Sequence, residues 1–299
     1  MKKKLIIGYF GDNKWAQNTL KKLIADKSIK VAFVYSRSKK DKLLEKISKK
    51  NLIPFRNTKN INSNKDIKYI LKSKPDLLVS MSYDQIFKKK ILSHFKDSII
   101  NCHAGLLPSY RGRNVLNWAI INGEKNFGIT VHIINKKIDQ GDILNQKKYI
   151  IKKNDDYGTI LKKSFIECPK ILYDTIKKIQ RKKITKIPQA KLKRKSSFFR
   201  KRVQGDEYLE LNKKSHLMQN FIKGLVGPGP YARIKTKNNE IKIIKSSIIS
   251  KINNNYRYKV ICKIMNNKFY LNTIDRKMLC IEKWSARDKF HPKLGVKFL

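Results

Sequence analysis

Polar side chains near the ends of two predicted strands have the types and spacing that chemistry requires. Asn101 and His103 are two positions apart at the carboxyl end of the run 98–102, and Asp139 precedes a glycine turn that leads into another strand. Strand alternation places Asn101 and His103 on one face, at the edge where open α/β sheets bind ligands. An amide can donate to a developing oxyanion, an imidazole can move protons, and a carboxylate can orient that imidazole. The trio therefore suits acyl transfer to an amine without a metal ion.

Each of these residues also has a simpler structural interpretation. A single histidine at a strand end is more often structural than catalytic, Asn101 could cap a turn, and Asp139 could be an ordinary turn residue. The remaining histidines have no comparable polar neighbours in the sequence, and we interpret them as structural: His94, His132, His216 and His291.

The pattern around the trio predicts alternating strands and helices. Buried strands separated by amphipathic stretches are expected at 5–9, 31–35, 77–80 and 98–102. Further along we expect a helix over 85–95, strands at 129–133 and 143–151, and a helix from about 157 to 183 capped by Asp155 or Asp156. Short strands are expected at 241–244, 258–264, 269–271 and 278–281.

These elements predict an α/β fold, with a Rossmann-like domain built on a mostly parallel sheet and a small β-rich, OB-like C-terminal domain. We expect the catalytic domain over 1–185, a basic linker over 186–205 and the β-rich domain over 206–299. The C-terminal domain could be structural or could support a homodimer.

The charge of the chain leaves two interpretations open. Lys and Arg number 70 against 22 Asp and Glu, which gives a net charge of +48. This excess could attract a polyanion such as nucleic acid, or it could reflect a compositional bias spread along the whole chain. The segment 185–202 likewise could be a basic arm for phosphate backbones or a solvated linker.

Several other classes of protein do not fit the sequence. Gly8 and Gly11 lack the third glycine of a GxGxxG turn, and the second strand ends in Tyr35-Ser36-Arg37 without an acid for a ribose, so an NAD enzyme is not expected. The four cysteines are scattered without metal-ligand spacing. No apolar run approaches the ~20 residues of a membrane span, and we expect a cytoplasmic protein without a membrane partner.

The motif that contains the trio resembles that of a known family. Asn-x-His-x-x-Leu-Leu-Pro-x-Tyr-Arg-Gly at 101–112, followed by Ile-Asp-x-Gly-Asp-Ile at 138–143, is similar to the folate-dependent formyltransferases. The resemblance covers about residues 1–190. It implies 10-formyltetrahydrofolate as donor, no metal or NAD, and catalysis by Asn101, His103 and Asp139. It also implies that the donor binds to main chain after a preceding strand and beside the later glycine turn, at Ser82, Tyr83, Ile86 and Asp142.

The residues after the motif bear on the acceptor. Gly105 and the stretch Arg113-Asn114-Val115 resemble the nucleotide-sugar enzymes of the family, whereas the tRNA enzymes tend to have Ser and Ala-Ala-Pro there. The resemblance therefore favours a nucleotide-linked deoxyamino sugar as acceptor, with Tyr110, Arg111 and Arg113 as candidate contacts. The alternatives are a methionyl-tRNA formyltransferase that acts on initiator Met-tRNA and a non-catalytic protein that binds nucleic acid.

Overall fold

The computed structural model describes residues 3–37, 41–250, 259–286 and 290–299, and its contacts divide the chain into two compact units. The first unit contains Met1–Gly112, Phe127–Tyr149 and Lys162–Phe198. The second contains Arg113–Asn126, Ile150–Leu161 and Phe199–Leu299, so the units are interleaved in sequence. The domain boundaries expected at 185 and 205 stay predictions beside this contact-based division.

The elements follow each other in an α/β order as far as the long helix α6. They are β1 Leu5–Gly11, α1 Asn13–Ala25, β2 Ile29–Ser36, α2 Lys42–Lys50, β3 Phe55–Asn57, α3 Asn64–Lys72, β4 Leu77–Met81, α4 Lys89–His94, β5 Ile99–His103, β6 Arg111–Gly112, α5 Val115–Ile121, β7 Asn126–Ile133, β8 Ile143–Ile150 and α6 Tyr157–Gln180. The rest are a 3-10 turn at Gln189–Lys191, β9 Phe198–Phe199, α7 Ser215–Leu225, β10 Ala232–Lys235, β11 Glu240–Ile249, β12 Ile261–Met265, β13 Lys268–Asn272 and β14 Met278–Ala286.

The central sheet positions the trio. Its strand order is β3-β2-β1-β4-β5-β7-β8. Strands β1 to β5 pair in parallel, whereas β7 runs antiparallel to β5. The strand order reverses between β1 and β4, and crevices at the carboxyl ends of strands near such a reversal are the usual ligand sites. The last residues of β4 and β5 therefore lie at the edge where a ligand is expected.

An aromatic core packs against this sheet and fixes its helices. Phe10, Phe33 and Tyr35 are fully buried, and the ring centroids of Phe10 and Phe33 are 5.7 Å apart in an edge-on arrangement. Residues of α3 and α4, such as Ile70 and Ile91, complete the cluster. These strands contain few polar residues because both of their faces are covered.

Side-chain caps explain where several helices begin. Asp41 Oδ1 accepts from the main-chain N–H groups of Leu43 and Leu44 at the start of α2. Asp156 Oδ1 accepts from Thr159 N at 2.8 Å and so caps α6, as one of the two expected caps.

The helix expected over 85–95 begins only at Lys89. The Gln85 side chain holds the preceding loop by accepting from Ile61 N and donating to Thr58 O, each at 2.7 Å.

The second unit contains the β-rich part of the chain. Its antiparallel sheet has the order β10-β11-β14-β13-β12, and α7 contributes Met218, Ile222 and Leu225 to the core beneath it. Within the same unit, α5 packs on α7, and Asn117 Nδ2 donates to Gly224 O at 2.8 Å. Of the strand expected at 258–264, Tyr258 lies outside the described residues and β12 begins only at Ile261. The expected fold class, a mainly parallel α/β sheet followed by a β-rich region, is confirmed.

Candidate active site

The sheet brings Asn101, His103 and Asp139 together in the first unit. Asn101 and His103 are on β5, and Asp139 lies in the loop between β7 and β8. The Nδ1 of His103 is 3.8 Å from Asp139 Oδ2. Of the three, His103 is 8% exposed and Asn101 is half-buried. The arrangement expected from the motif is therefore present as geometry.

A main-chain carbonyl orients the His103 ring. Its Nε2 is 2.6 Å from the carbonyl oxygen of Tyr110, which can only accept, so Nε2 carries a proton. The Nδ1 then faces the Asp139 carboxylate, and protonation of Nδ1 converts that contact into an ion pair. This geometry gives His103 a fixed ring plane and a proton on the Tyr110 side.

Asp139 is an ionised carboxylate in a mostly buried place. Burial opposes ionisation, but the positive charge that His103 can carry, contacts with His132 and the N–H of Gly112 hold the pKa of Asp139 well below its ordinary value. The Gly112 N donates to Asp139 Oδ2 at 2.9 Å. The backbone of Asp139 adopts a left-handed φ of 53°. The carboxylate is thus charged throughout the neutral pH range.

His132, which we interpreted from the sequence as structural, lies beside the trio. It is 2% exposed and stands opposite Asn101 in the β5–β7 register, while Thr130 stands opposite His103. Its Nε2 is 3.3 Å from Asn101 Nδ2 and 3.4 Å from Asp139 Oδ1. The antiparallel direction of β7 places His132 there, because directly opposed residues share a face.

The loop after β5 packs tightly on His103. Thr130 Oγ1 donates to Gly105 O at 2.7 Å, which holds this loop against β7. A Cβ at Gly105 would collide with both the Tyr110 carbonyl and the His103 ring. Gly105 is therefore required for the close contact between His103 and Tyr110.

The residues predicted to bind the donor follow β4, the strand beside β5. Ser82 has a left-handed φ of 58°, and its carbonyl accepts from Arg37 Nη2 at 2.8 Å. Tyr83 packs on Phe10 and Phe87, and burial raises the pKa of its phenol. Ile86 is 61% exposed.

Asp142, the fourth residue predicted to bind the folate donor, lies at the end of the turn that begins at Asp139. Its carbonyl accepts from Ile133 N at 2.9 Å, which joins the end of this turn to β7. Gly141 is needed inside the turn, because a Cβ there would collide with the Ile133 carbonyl. The main chain of the turn therefore packs directly against the main chain at the end of β7.

The predicted acceptor contacts divide between the two units. Tyr110 and Arg111 are in the first unit, where the carbonyl of Tyr110 is already engaged by His103 and Arg111 N donates to Ser197 O at 3.0 Å. Arg113 is in the second unit and is exposed, and its main-chain N donates to Phe199 O at 2.9 Å.

The described ranges contain neither a candidate membrane span nor a candidate metal site. No helix there is long and apolar enough to cross a bilayer. No group of three or more His, Cys, Asp or Glu side chains there has an arrangement that could hold a metal ion.

The site combines an amide donor, two imidazoles and an ionised carboxylate within hydrogen-bond or ion-pair reach of one another. Such a set can stabilise an oxyanion and move a proton from an attacking nucleophile, which are the needs of acyl transfer. The Asp139 carboxylate lies within ion-pair reach of both imidazoles.

Known proteins resemble this chain in sequence and in fold. The bifunctional polymyxin resistance protein ArnA of Wigglesworthia glossinidia brevipalpis is 38% identical over 205 residues, which are 69% of this chain but only 31% of ArnA. The methionyl-tRNA formyltransferase of Clostridium tetani is 30% identical over 253 residues, 82% of this chain and 81% of that protein.

A solved structure agrees with the fold. WlaRD, a sugar 3N-formyltransferase crystallised in the presence of dTDP and 5-N-formyl-THF, superposes with a TM-score of 0.72 at 23% identity and covers 97% of this chain and 100% of its own. Residues 3–176 match the family model for formyl transferases, which is more than half of the chain. These matches confirm the family and the class of enzyme expected from the motif. The chain belongs to the formyl transferase family.

Proposed function

We propose that this chain transfers a formyl group from 10-formyltetrahydrofolate to the amino group of a deoxyamino sugar carried on a nucleotide. The observation that carries the proposal is the convergence of Asn101, His103, His132 and Asp139 at the end of β5. An acyl-transfer site needs an oxyanion donor, a proton carrier and a charge that orients the carrier, and this set supplies each of them.

The neighbouring strand end suits the folate donor. In the parallel pair β4–β5, Ser80 is in register with Asn101 and Met81 with Cys102, so the chain leaving β4 at Ser82 runs beside His103. Arg37 holds Ser82 in its left-handed conformation. A donor bound along this main chain would have its formyl group near the trio, as the family resemblance implies.

Each residue then has a definite task. The acceptor amine attacks the formyl carbon as the neutral base, and Asn101 Nδ2 donates to the oxygen that becomes negative. Neutral His103, whose Nε2 is bonded to the Tyr110 carbonyl, accepts at Nδ1 the proton released by the attacking nitrogen and returns it to N10 of the donor as the adduct collapses to amide and tetrahydrofolate. Asp139 stays ionised and stabilises the imidazolium throughout.

Gly105 supports a sugar rather than a tRNA acceptor. The tRNA enzymes tend to have Ser at this place in the motif, and a Cβ here would displace the Tyr110 carbonyl from His103. The loop therefore has a shape that a Ser residue would not permit. The fold of WlaRD also covers nearly the whole chain.

Methionyl-tRNA formyltransferase is the second candidate. Its support is the net charge of +48 and the 30% identity that extends over 81% of the Clostridium tetani enzyme. Counterion release from RNA would then make acceptor binding steeply dependent on salt.

An acceptor competition distinguishes these functions. Purified full-length protein is given 10-formyltetrahydrofolate and, separately, charged initiator Met-tRNA or a panel of dTDP- and UDP-linked amino deoxysugars, and tetrahydrofolate release and product mass are recorded. We expect turnover with at least one sugar and little with tRNA. Turnover confined to tRNA would replace the sugar assignment, and no consumption of donor with any amine would overturn the proposal as a whole.

A further inference from the structure

The segment 187–198, which we expected to be part of a linker, is bonded to the first unit at several points. Ile187 exchanges two main-chain hydrogen bonds with Ile143, each of 2.9 Å. Arg194 Nη1 reaches the carbonyl of Leu107 at 3.2 Å. The exposed lysines of the segment are Lys191, Lys193 and Lys195. Its lysines thus face solvent, whereas Ile187 and Arg194 bond the segment to Ile143 and Leu107.

Gln189 holds the loop that carries Asp139. Its side chain is 9% exposed, and Nε2 donates to Asp139 O at 2.9 Å and to Gly141 O at 2.8 Å. Only an NH₂ group can donate to two carbonyls, so the orientation of this amide is fixed by its partners. Asp139 adopts a left-handed backbone, which non-glycine residues avoid unless surrounding contacts maintain it. Gln189 provides such contacts.

Ser197 holds the loop that orients His103. Its Oγ accepts from Tyr110 N at 2.9 Å, and its carbonyl accepts from Arg111 N at 3.0 Å. Tyr110 also has a left-handed φ, 58°, and its carbonyl accepts from His103. Ser197 is therefore linked to His103 through a single residue, Tyr110. The Tyr110 backbone is held by hydrogen bonds to both residues.

We propose that Gln189 and Ser197 are positioning residues of the formyl-transfer site, with Gln189 fixing Asp139 and Ser197 fixing His103 through Tyr110. The expected effect on catalysis rests on the proposed function, whereas the hydrogen bonds of Gln189 and Ser197 do not depend on it. Neither residue needs to touch a substrate. Their loss should lower the rate of the chemical step more than it weakens binding, because small displacements of catalytic groups are costly.

Matched variants test the two contacts. Ser197→Ala removes the acceptor for Tyr110 N while Ser197→Thr keeps it, and Gln189→Glu keeps the shape but replaces the donating NH₂ with an acceptor. Lys193→Ala, at an exposed position, is the control. We expect kcat to fall about tenfold or more in Ser197→Ala and Gln189→Glu with KM changed less than about threefold, and Ser197→Thr and Lys193→Ala to stay near wild type.

Nitrogen NMR of ¹⁵N-histidine protein gives a readout that does not depend on turnover. The chain has 5 histidines, so a His103→Gln spectrum assigns the His103 signal. We expect the His103 signal to shift in Ser197→Ala, and amide hydrogen exchange at 139–142 to accelerate in Gln189→Glu. If both variants fold and neither signal moves, the positioning role is wrong. If wild type transfers no formyl group but both signals move, the proposed function fails and the positioning role stands.

A variant that does not fold still leaves a decisive comparison. If Ser197→Ala fails to fold, Ser197→Thr must retain both the rate and the wild-type His103 spectrum for the inference to survive. If Gln189→Glu fails, Gln189→Met, which keeps the length without a donor, replaces it. Wild-type exchange at 139–142 in Gln189→Met would contradict the role of Gln189.

Discussion

Asn101 and His132 face each other across the antiparallel pair β5–β7, with 3.3 Å between Asn101 Nδ2 and His132 Nε2. The other ring nitrogen of His132 is 2.8 Å from the Ile133 carbonyl and must donate to it. A neutral His132 can therefore accept from Asn101, whereas a protonated one donates toward Asp139 at 3.4 Å. The Asn101 amide nitrogen carries two N–H groups, so a neutral His132 can hold one of them while the other serves a developing oxyanion.

His132→Phe tests whether this relationship matters. The substitution keeps a buried ring but removes the contacts with Asn101 and Asp139, and we expect kcat to fall by about tenfold or more. His94→Gln, which changes an exposed histidine of α4, is the matched control and should leave kcat unchanged. Steady-state rates with saturating donor and acceptor measure the effect. A kcat within twofold of wild type in His132→Phe would show that His132 has a structural role only.

Replacement of His103 should affect both rate and stability. His103→Gln keeps a side-chain donor, whereas His103→Ala leaves the Tyr110 carbonyl without its partner in a buried place, at a cost of about 1–3 kcal/mol in the free energy of unfolding. We expect both variants to lose turnover by about a hundredfold or more. Single-turnover rates and urea unfolding provide the measurements. Equal stability of the two variants would contradict the hydrogen bond to Tyr110, and retained turnover would contradict the catalytic role.

The lowered pKa of Asp139 predicts a pH-dependent contribution to stability. The carboxyl binds fewer protons in the folded than in the unfolded protein, so its contribution is present above its ordinary pKa of about 4 and is lost as the pH falls through the lower folded value. We expect the difference in unfolding free energy between wild type and Asp139→Asn to be constant from pH 7 to 5. It should shrink below about pH 4. Urea titrations at each pH measure this difference, and a difference that grows on acidification would have the wrong sign.

Gly105→Ser is expected to damage the site although Ser is usual at this place in the tRNA enzymes. The added Cβ collides with the Tyr110 carbonyl and the His103 ring, and such overpacking costs about 1–3 kcal/mol. Ala104→Ser adds a hydroxyl to the neighbouring half-buried residue and serves as the control. Thermal unfolding and turnover with the sugar acceptor check the expectation. Unchanged values would show that the loop can adopt the tRNA-type shape, and would remove one support of the sugar assignment.

Much of the site could be predicted from the sequence because its parts are local. Asn101 and His103 share a face through strand alternation, and the Asp139 turn is recognisable from Asp-x-Gly-Asp. His132 could not be found in this way, since its proximity to Asn101 depends on the direction of a pairing between strands that are distant in sequence. The periodicity of a buried strand is the same in either direction.

The contacts of the segment 187–198 could not be predicted for a related reason. Its composition is dominated by exposed lysines, whereas its structural role depends on Gln189 and Ser197, which bond to residues about 50 and 87 positions away. Propensity is also a poor guide at 85–88, where the side chains of Gln85 and Asn62 form the long-range hydrogen bonds that hold the loop before α4. Contacts of this kind carry no local signal.

The interleaving of the two units restricts how such a protein could be recombined. Helix α5, which is encoded before β7, is joined to α7 by the bond from Asn117 to Gly224, more than 100 positions later. A single crossover between two homologous genes after codon 198 would give a chimera whose α5 comes from one parent and whose α7 comes from the other. The contact between α5 and α7 is therefore expected to stay matched only in chimeras that take both helices from the same parent.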